Sequence, residues 1–240
     1  MNETLIVIPA YNESKNIGAV LDRIARLNLD ADVVVINDGS ADDTEAIVKS
    51  KDTNVITLPY NLGYGGALQT GFKYATIKGY RYVIQFDADG QHNADAISGI
   101  IDCLKTTGAD IVIGSRFIKG GHFNAGAVKK LGMGFLKLSI RMFTSKIISD
   151  PTSGFKGLTK KIFSYYASSD NFSPDYPDAD ILIQVIRAGC SIHEIPIVVI
   201  ERNEGKSMHS GLKPVFYFVK FILNISVIML REKVKGEVKL

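Results

Sequence analysis

The stretch that decides the fold is Tyr82-Val83-Ile84-Gln85-Phe86-Asp87-Ala88-Asp89-Gly90-Gln91-His92, an apolar run that ends in two carboxylates. The apolar part is typical of a strand buried in a sheet, and the Asp and Gly residues after it are typical of a chain leaving that sheet. Two acids at an exposed edge repel each other unless a cation joins them. Their oxygens, with that of Gln91, suit Mg²⁺ or Mn²⁺ bridging phosphates. Taken alone, the same residues also fit a solvated turn.

Segments on both sides of this stretch alternate between strand and helix patterns. Short apolar runs rich in β-branched residues predict strands at Leu5–Pro9, Val33–Asn37, Val55–Leu58, Tyr82–Phe86 and Ile111–Gly114. Apolar residues at helical spacing predict a helix from Ile17 to Leu27, and Ser40 is a candidate cap for a helix that runs through Lys49. The alternation predicts an α/β domain with a doubly wound, mostly parallel sheet. Ligands of such sheets bind outside the carboxyl ends of the strands.

The composition excludes several classes of protein. The 240 residues are 46% hydrophobic and 22% charged, which is typical of a globular domain and not of a disordered or fibrous chain. Cys103 and Cys190 are the only cysteines, so neither a zinc cluster nor a redox pair is expected, and a reducing cytosolic setting fits. The start at Met1–Thr4 lacks the features of a secretory signal, so export is not expected. A net charge of +3 is too small to predict nucleic-acid binding.

Motifs of polar and glycine residues follow the other predicted strands. In chain order they are Pro9-Ala10-Tyr11-Asn12-Glu13, Asn37-Asp38-Gly39-Ser40, Asn61-Leu62-Gly63-Tyr64-Gly65-Gly66-Ala67, Gly114-Ser115-Arg116 and Asp150-Pro151-Thr152-Ser153-Gly154-Phe155-Lys156. Together with the acidic stretch, they resemble the family 2 glycosyltransferases, and within them the polyprenyl-phosphate sugar synthases related to dolichol-phosphate mannose synthase. The resemblance spans roughly residues 4–206. It implies a GT-A type nucleotide-diphospho-sugar transferase, with residues 1–210 as the catalytic domain.

The resemblance also implies roles for individual residues. It places Pro9, Tyr11 and Glu13 beside the nucleoside and Asp38 on the base. It places Asp87, Ala88 and Asp89 at the diphosphate, and it makes Asp87, Asp89 and Gln91 ligands of Mg²⁺ or Mn²⁺. Arg116, Arg202 and Lys206 would lie near the phosphates. For Asp38, a cap of the next helix is an equal alternative. For the three cations, the alternative is ordinary solvation at the surface. Gly63, Gly65 and Gly66 do not form a dinucleotide fingerprint, because the third glycine of that motif is absent.

In-line displacement with inversion at the anomeric carbon is the reaction that the resemblance implies. A hydroxyl acceptor normally needs a general base, whereas a phosphate monoester is already anionic near neutral pH, because its second pKa is about 6. The acidic segment Pro174–Asp180 departs from the usual form of the base motif in related enzymes. If a base is used, Asp178 or Asp180 is the candidate. The alternative is that this segment caps a helix predicted at Ile181–Ala188.

Two segments favour a membrane surface. Arg116–Ser149 contains seven Lys or Arg residues and no Asp or Glu. Its central basic residues are Lys129, Lys130, Lys137, Arg141 and Lys146. Their alternation with large apolar side chains predicts a cationic amphipathic helix on an anionic membrane, and a helix that merely covers the sheet is the alternative. Pro214–Leu230 is apolar but has only about 17 residues and contains Lys220, so residues 211–240 are expected to form an interfacial helical tail and not a span.

The leading hypothesis is metal-dependent transfer of a hexose or N-acetylhexosamine from a nucleoside diphosphate sugar to a polyprenyl phosphate at the cytoplasmic face of the cell membrane. A UDP-sugar is favoured only because such donors are common, and GDP-mannose stays open. An integral membrane protein is a candidate partner. The alternatives are transfer to a sugar hydroxyl in polysaccharide assembly and a catalytically silent nucleotide-binding subunit. Because the chain contains no Trp, it cannot carry the Gln-x-x-Arg-Trp motif of processive cellulose, chitin and hyaluronan synthases.

Overall fold

Helices and strands alternate along the chain. The structure, a computed structural model, describes residues 2–119, 127–168, 172, 179–199 and 223, with only the backbone of residues 127–131. Its elements are β1 (Thr4–Ala10), α1 (Ile17–Arg26), β2 (Ala31–Asn37), α2 (Thr44–Ser50), β3 (Asn54–Thr57), α3 (Tyr64–Lys78), β4 (Tyr82–Gln85), α4 (Ala96–Thr107), β5 (Ile111–Ser115), α5 (Ala127–Thr144), β6 (Lys156–Thr159), α6 (Lys160–Ala167), α7 (Ala179–Arg187) and β7 (Ile192–Pro196). The five predicted strands are confirmed. β6 and β7 are additional.

The strands form one sheet in the order β3-β2-β1-β4-β6-β5-β7. β1 pairs in parallel with β2 and β4, β2 with β3, and β5 with β7. Only β6 among these strands is antiparallel to its neighbours, β4 and β5. β4 and β5 therefore run in the same direction, and the loop that enters β6 lies at the edge where both of them end.

Both faces of the sheet are buried. In β1, Leu5 and Val7 contact one hydrophobic cluster, whereas Ile6 and Ile8 contact another on the opposite face. The first cluster includes residues of α3, α5, α6 and α7, and the second includes residues of α1, α2 and α4. Because successive side chains of a strand point to opposite faces, a strand covered on both faces is apolar throughout. The doubly wound, mostly parallel α/β sheet predicted from the sequence is confirmed.

The prediction that Ser40 caps the second helix is wrong. α2 begins at Thr44, and the carboxylate of Asp42 accepts hydrogen bonds from the backbone amide and hydroxyl of Thr44. The hydroxyl of Ser40 instead accepts a hydrogen bond from the amide of Asn12, at 2.9 Å. Asp competes well with Ser for amides at a helix start, and here it lies two residues before the first helical amide.

The predicted amphipathic helix exists as α5, Ala127–Thr144. Leu136 and Ile140 pack into the core, which agrees with a helix that covers the sheet. The proposed tail, 211–240, lies outside the described residues apart from Leu223. Within the part of the chain that the structure describes, no helix is both long enough and apolar enough to cross a membrane.

Candidate active site at the carboxyl edge of the sheet

The carboxyl ends of β1, β2 and β4 lie side by side. Ala10 pairs with Asn37, and Val7 pairs with Gln85, so the residues that follow each strand emerge together. These are the motifs after β1 and β2 and the acidic stretch after β4. As predicted, the chemically important motifs meet at the edge where ligands of parallel sheets bind.

The loop after β1 is fixed to the loop after β2 by hydrogen bonds. These run from Asn12 N to Ser40 Oγ, from Ala41 N to Asn12 Oδ1, from Glu13 N to Thr44 Oγ1 and from Ser14 N to Asp42 Oδ2. The carboxylate of Glu13 accepts a hydrogen bond from Asn16 Nδ2 at 2.7 Å. Tyr11 is half exposed, whereas Pro9 is buried within β1. Tyr11 and Asn12 are thus exposed and Glu13 is partly exposed, and Asn12 is already hydrogen-bonded to the loop after β2.

Asp38 holds the chain that leads into α3. Its carboxylate is only 3% exposed and accepts hydrogen bonds from the amides of Leu62, at 2.7 Å, and Gly63, at 3.0 Å. Burial raises the pKa of Asp38 above its ordinary value, although both amides act in the opposite direction. Asp38 therefore binds amides before a later helix, α3, and not those of the next helix. Gly39 is required beside it, because a side chain there would meet the backbone of Tyr60.

Asp87 lies within a hydrogen-bonded cluster. Its Oδ1 accepts a hydrogen bond from the hydroxyl of Tyr64 at 2.7 Å, and its Oδ2 lies 3.3 Å from Nε2 of His92. The Tyr64 oxygen in turn accepts a hydrogen bond from Nε2 of Gln85 at 2.9 Å. Burial opposes ionisation of Asp87, but His92, the Tyr64 hydroxyl and the charge of Lys156 together hold the pKa of this carboxyl below its ordinary value. Asp87 is therefore an anion in the folded protein at neutral pH.

Asp89 lies in the turn that follows. Its Oδ1 accepts a hydrogen bond from the amide of Gln91 at 3.0 Å, and Gly90 between them has a φ of +71°, which favours glycine. Asp89 and Gln91 are partly exposed, whereas Ala88 is buried. The group therefore offers carboxylate and carboxamide oxygens at a partly open edge. Such hard oxygen donors fit Mg²⁺ or Mn²⁺ bound together with phosphate oxygens.

Arg116 and Asp150 form a bidentate ion pair. Arg116 Nε lies 2.7 Å from Asp150 Oδ2, and Arg116 Nη2 lies 2.7 Å from Asp150 Oδ1 and 2.9 Å from the hydroxyl of Thr152. Asp150 is fully buried. The carboxylate of Glu194, from β7, accepts hydrogen bonds from the amides of Ser149 and Asp150. Arg116 thus joins the end of β5 to the loop before β6, which the sequence did not indicate.

The remaining predicted residues are only partly described. Asp180 is buried in the first turn of α7, which begins at Ala179 and not at Ile181. An acid in the first turn of a helix stabilises the helix end, so this placement favours the structural alternative for Asp180. Asp178, Arg202 and Lys206 lie outside the described residues.

Comparisons with known proteins agree on one family. The sequence model of the protein family described as "Glycosyl transferase family 2" matches residues 5–166. A polyprenol monophosphomannose synthase of Mycolicibacterium smegmatis is 29% identical over 87% of this chain and 81% of its own length. A UDP-N-acetylglucosamine–dolichyl-phosphate N-acetylglucosaminyltransferase of Methanococcus voltae is 30% identical over 88% of this chain and 92% of its own length.

A solved structure with the same fold contains phosphoglyceric acid, whereas the names of the two relatives above refer to polyprenol and dolichyl phosphate. Glucosyl-3-phosphoglycerate synthase from Mycobacterium tuberculosis, in complex with Mn²⁺, uridine-diphosphate-glucose and phosphoglyceric acid, superposes with a TM-score of 0.69 and 18% identity. The match covers 94% of this chain and 79% of that one. At this identity the likeness shows the fold alone, which is that of GT-A-like enzymes.

Proposed function

The chain belongs to glycosyl transferase family 2 and is a glycosyltransferase, and on that premise we propose that it transfers a hexose or N-acetylhexosamine from a nucleoside diphosphate sugar to a polyprenyl phosphate. The observation that carries this proposal is the acidic pair Asp87 and Asp89 at the edge where β1, β2 and β4 end. The acceptor is proposed by analogy with the relatives, which are named as a polyprenol monophosphomannose synthase and a dolichyl-phosphate N-acetylglucosaminyltransferase.

The donor is proposed to lie across the ends of β1, β2 and β4. Tyr11 and Glu13 border the nucleoside, and Pro9 supports them from within β1. Asp38 accepts a hydrogen bond from the base in addition to those from the amides of Leu62 and Gly63, because each carboxylate oxygen can accept more than one hydrogen bond. UDP and GDP both present an N–H to such an acceptor.

The diphosphate is proposed to lie at the acidic turn. Asp87, Asp89 and Gln91 would hold Mg²⁺ or Mn²⁺ together with the diphosphate oxygens. When bound, the ion supplies positive charge that stabilises the departing nucleoside diphosphate. Arg202 and Lys206 are proposed to contact phosphates. Arg116 is bound to Asp150, and we assign it mainly to holding the loop before β6.

The reaction proposed is an in-line displacement with inversion. An oxygen of the acceptor phosphate attacks the anomeric carbon, and the bond from that carbon to the diphosphate oxygen breaks. No proton has to leave the attacking oxygen, since a phosphate monoester with a second pKa of about 6 is already anionic. The burial of Asp180 in α7 agrees with a reaction that needs no general base from that helix.

The acceptor is proposed to reach the site from a membrane surface that contacts α5. The outward face of this helix and the residues after it exposes large apolar side chains: Phe135, Leu138 (62% exposed), Met142 (68%) and Ile147 (73%). Arg141 and Lys146 are also exposed. A cationic face with exposed apolar residues suits the anionic inner face of a cell membrane. Residues 211–240 are proposed as a second interfacial segment.

The proposal is tested by incubating the protein with Mn²⁺ or Mg²⁺, a short-chain polyprenyl phosphate and radiolabelled UDP- and GDP-sugars, each in turn. After extraction, we expect label from one donor to enter the organic phase. Omitting the metal or the lipid is the control and should leave all the label in the aqueous phase. If no donor labels the organic phase, the lipid-phosphate acceptor is wrong.

A further inference from the structure

We infer that Tyr64 is a positioning residue that fixes the orientation of the Asp87 carboxylate, and that this is the role of the glycine-rich motif at Asn61–Ala67. The inference rests on the proposed function, in which Asp87 contributes to the metal and diphosphate site. The distance between Tyr64 OH and Asp87 Oδ1 is 2.7 Å, which is the ordinary length of a well-formed hydrogen bond from a hydroxyl.

The direction of the hydrogen bonds follows from the chemistry of the three groups. The hydroxyl of Tyr64 has one proton, which it donates to Oδ1 of Asp87. The Tyr64 oxygen then needs a donor, which Gln85 supplies from Nε2 at 2.9 Å. Gln85 belongs to β4 and is buried, so its position is fixed by the sheet. The hydrogen bonds therefore run from Gln85 to Tyr64 and from Tyr64 to Asp87.

The position of Tyr64 is fixed from the other side by Asp38. Tyr64 is the first residue of α3, and Asp38 accepts the amides of the two residues immediately before it. Gly63 has a φ of +85°, which glycine adopts readily and other residues rarely do. The turn thus brings the tyrosine ring from the β3 side of the sheet to Asp87. Asp38 and Asp87, which are far apart in the sequence, are connected through this one side chain.

The other oxygen of Asp87 is confined by His92 and Gly154. His92 is 6% exposed, packs against Phe86 and Phe155, and directs Nε2 at Asp87 Oδ2. Gly154 lies so close to the same oxygen that a methyl group there would overlap with the carboxylate. Contacts on both oxygens leave the carboxylate a single orientation. The partners that orient a ligand typically affect metal affinity or activity by about 10- to 100-fold.

The test compares two tyrosines that donate to carboxylates. Tyr64→Phe removes the hydrogen bond to Asp87. Tyr80→Phe removes a comparable hydrogen bond, from the Tyr80 hydroxyl to Asp32 at 2.8 Å, which lies near the amino ends of β2 and β4, away from the proposed site. For each variant, Mn²⁺ is titrated by calorimetry into protein saturated with UDP, or with GDP if wild type binds GDP. We also measure the melting temperature of each variant. With the donor that wild type uses, we measure kcat and the half-saturating Mn²⁺ concentration.

We expect Tyr64→Phe to weaken Mn²⁺ binding about 10-fold or more and to raise the half-saturating Mn²⁺ concentration similarly. Tyr80→Phe should lower only the melting temperature. Unchanged Mn²⁺ affinity in Tyr64→Phe, or an equal loss in both variants, overturns the inference and leaves the proposed function intact. If wild type binds neither Mn²⁺ nor Mg²⁺ with either nucleotide, the metal-dependent function proposed above fails and the inference fails with it.

Discussion

Asp87 and Asp89 are two residues apart but have different surroundings. Both are partly exposed, but side chains contact both oxygens of Asp87, whereas Asp89 accepts an amide of the turn in which it lies. We expect both carboxylates to contribute to the metal and diphosphate site. Asp87 would give that site its fixed geometry and part of its charge.

Replacing Asp89 tests this assignment. Asp89→Asn keeps the shape of the side chain and its acceptor for Gln91 N, but removes the negative charge. We expect kcat/KM to fall by roughly 100-fold or more, because a preorganised electrostatic group is lost. Asp95→Asn, an exposed acid before α4 that makes no capping hydrogen bond, is the matched control. Equal activity of Asp89→Asn and wild type would remove Asp89 from the site.

Gly154 offers a second test at the same scale. Gly154→Ala places a methyl group against the Asp87 carboxylate, which must then turn away. We expect the half-saturating Mn²⁺ concentration to rise about 10-fold, measured with the donor that wild type uses. Gly99→Ala is the control, since its methyl group would make only an ordinary contact of 3.5 Å with Ile195. Normal Mn²⁺ dependence of Gly154→Ala would show that Asp87 tolerates rotation.

The residues of the site differ in how far the sequence predicts them. Asp38, Asp87 and Asp89 follow apolar strands directly, and this position predicts them. Tyr64 lies 23 residues before Asp87 in the chain, and no local pattern indicates that they meet. The pairing of Arg116 with Asp150 depends on β6 entering the sheet between β4 and β5, which is a property of topology. Hydrogen bonds between residues that are distant in the chain leave no periodic pattern in the sequence, so they cannot be predicted from one.

At the scale of elements, α5 carries the membrane proposal. Replacing Leu138 and Met142 together by Gln removes two exposed apolar side chains without touching the core. We expect partitioning onto phosphatidylglycerol vesicles to fall by about 10-fold or more in a flotation assay, since each inserted side chain contributes on the order of 1.5–3 kcal/mol. Ile77→Gln, at an apolar residue of α3 that is 82% exposed, is the control. Equal flotation of the double variant and wild type would exclude this face.

The junction of the loops after β1 and β2 predicts a pH dependence of stability. Partial burial alone would raise the pKa of Asp42, but hydrogen bonds from Thr44 and Ser14 outweigh it and lower the pKa to about 2, from 3.8. Because the pKa is lowered by folding, this carboxylate stabilises the folded protein above about pH 4. The stabilisation is lost as the pH falls towards 2.

Thermal unfolding between pH 2 and pH 6 measures this contribution. We expect Asp42→Asn to melt at a lower temperature than wild type at pH 6 and to differ less from it near pH 2. Asp43→Asn is the control, because Asp43 makes no capping hydrogen bond to α2. A difference between Asp42→Asn and wild type that stays constant with pH would contradict the account.

Strands were easier to predict than the rest of the fold for a physical reason. β1, β2, β4 and β5 are largely or wholly covered by helices on both faces, so their apolar runs identify them. β6 consists of Lys156-Gly157-Leu158-Thr159, and β7 includes His193 and Glu194. Neither has an apolar run of useful length. Their place in the sheet is set by pairing with β4 and β5, which a local pattern does not contain.

At the scale of the whole molecule, the proposed membrane helix and the proposed active site are connected. The hydroxyl of Thr152 contacts both Arg116 and the sulfur of Met133, which belongs to α5, at 2.9 Å and 3.8 Å respectively. Lys137 of α5 lies 4.7 Å from the ring centre of Phe117, the residue after Arg116. A lipid phosphate at the membrane face of α5 would therefore lie on the β5 side of the site, opposite the loops after β1 and β2.

We propose above that the acceptor is a phosphate on a lipid. This is tested by measuring the rate at which label enters the organic phase. The rate with short-chain polyprenyl phosphate is compared with the rate with the corresponding polyprenol, using the same labelled donor and metal. We expect transfer to the phosphate and none to the alcohol, because only the phosphate is anionic without a general base. Equal rates with both acceptors, or transfer to the alcohol alone, would contradict it.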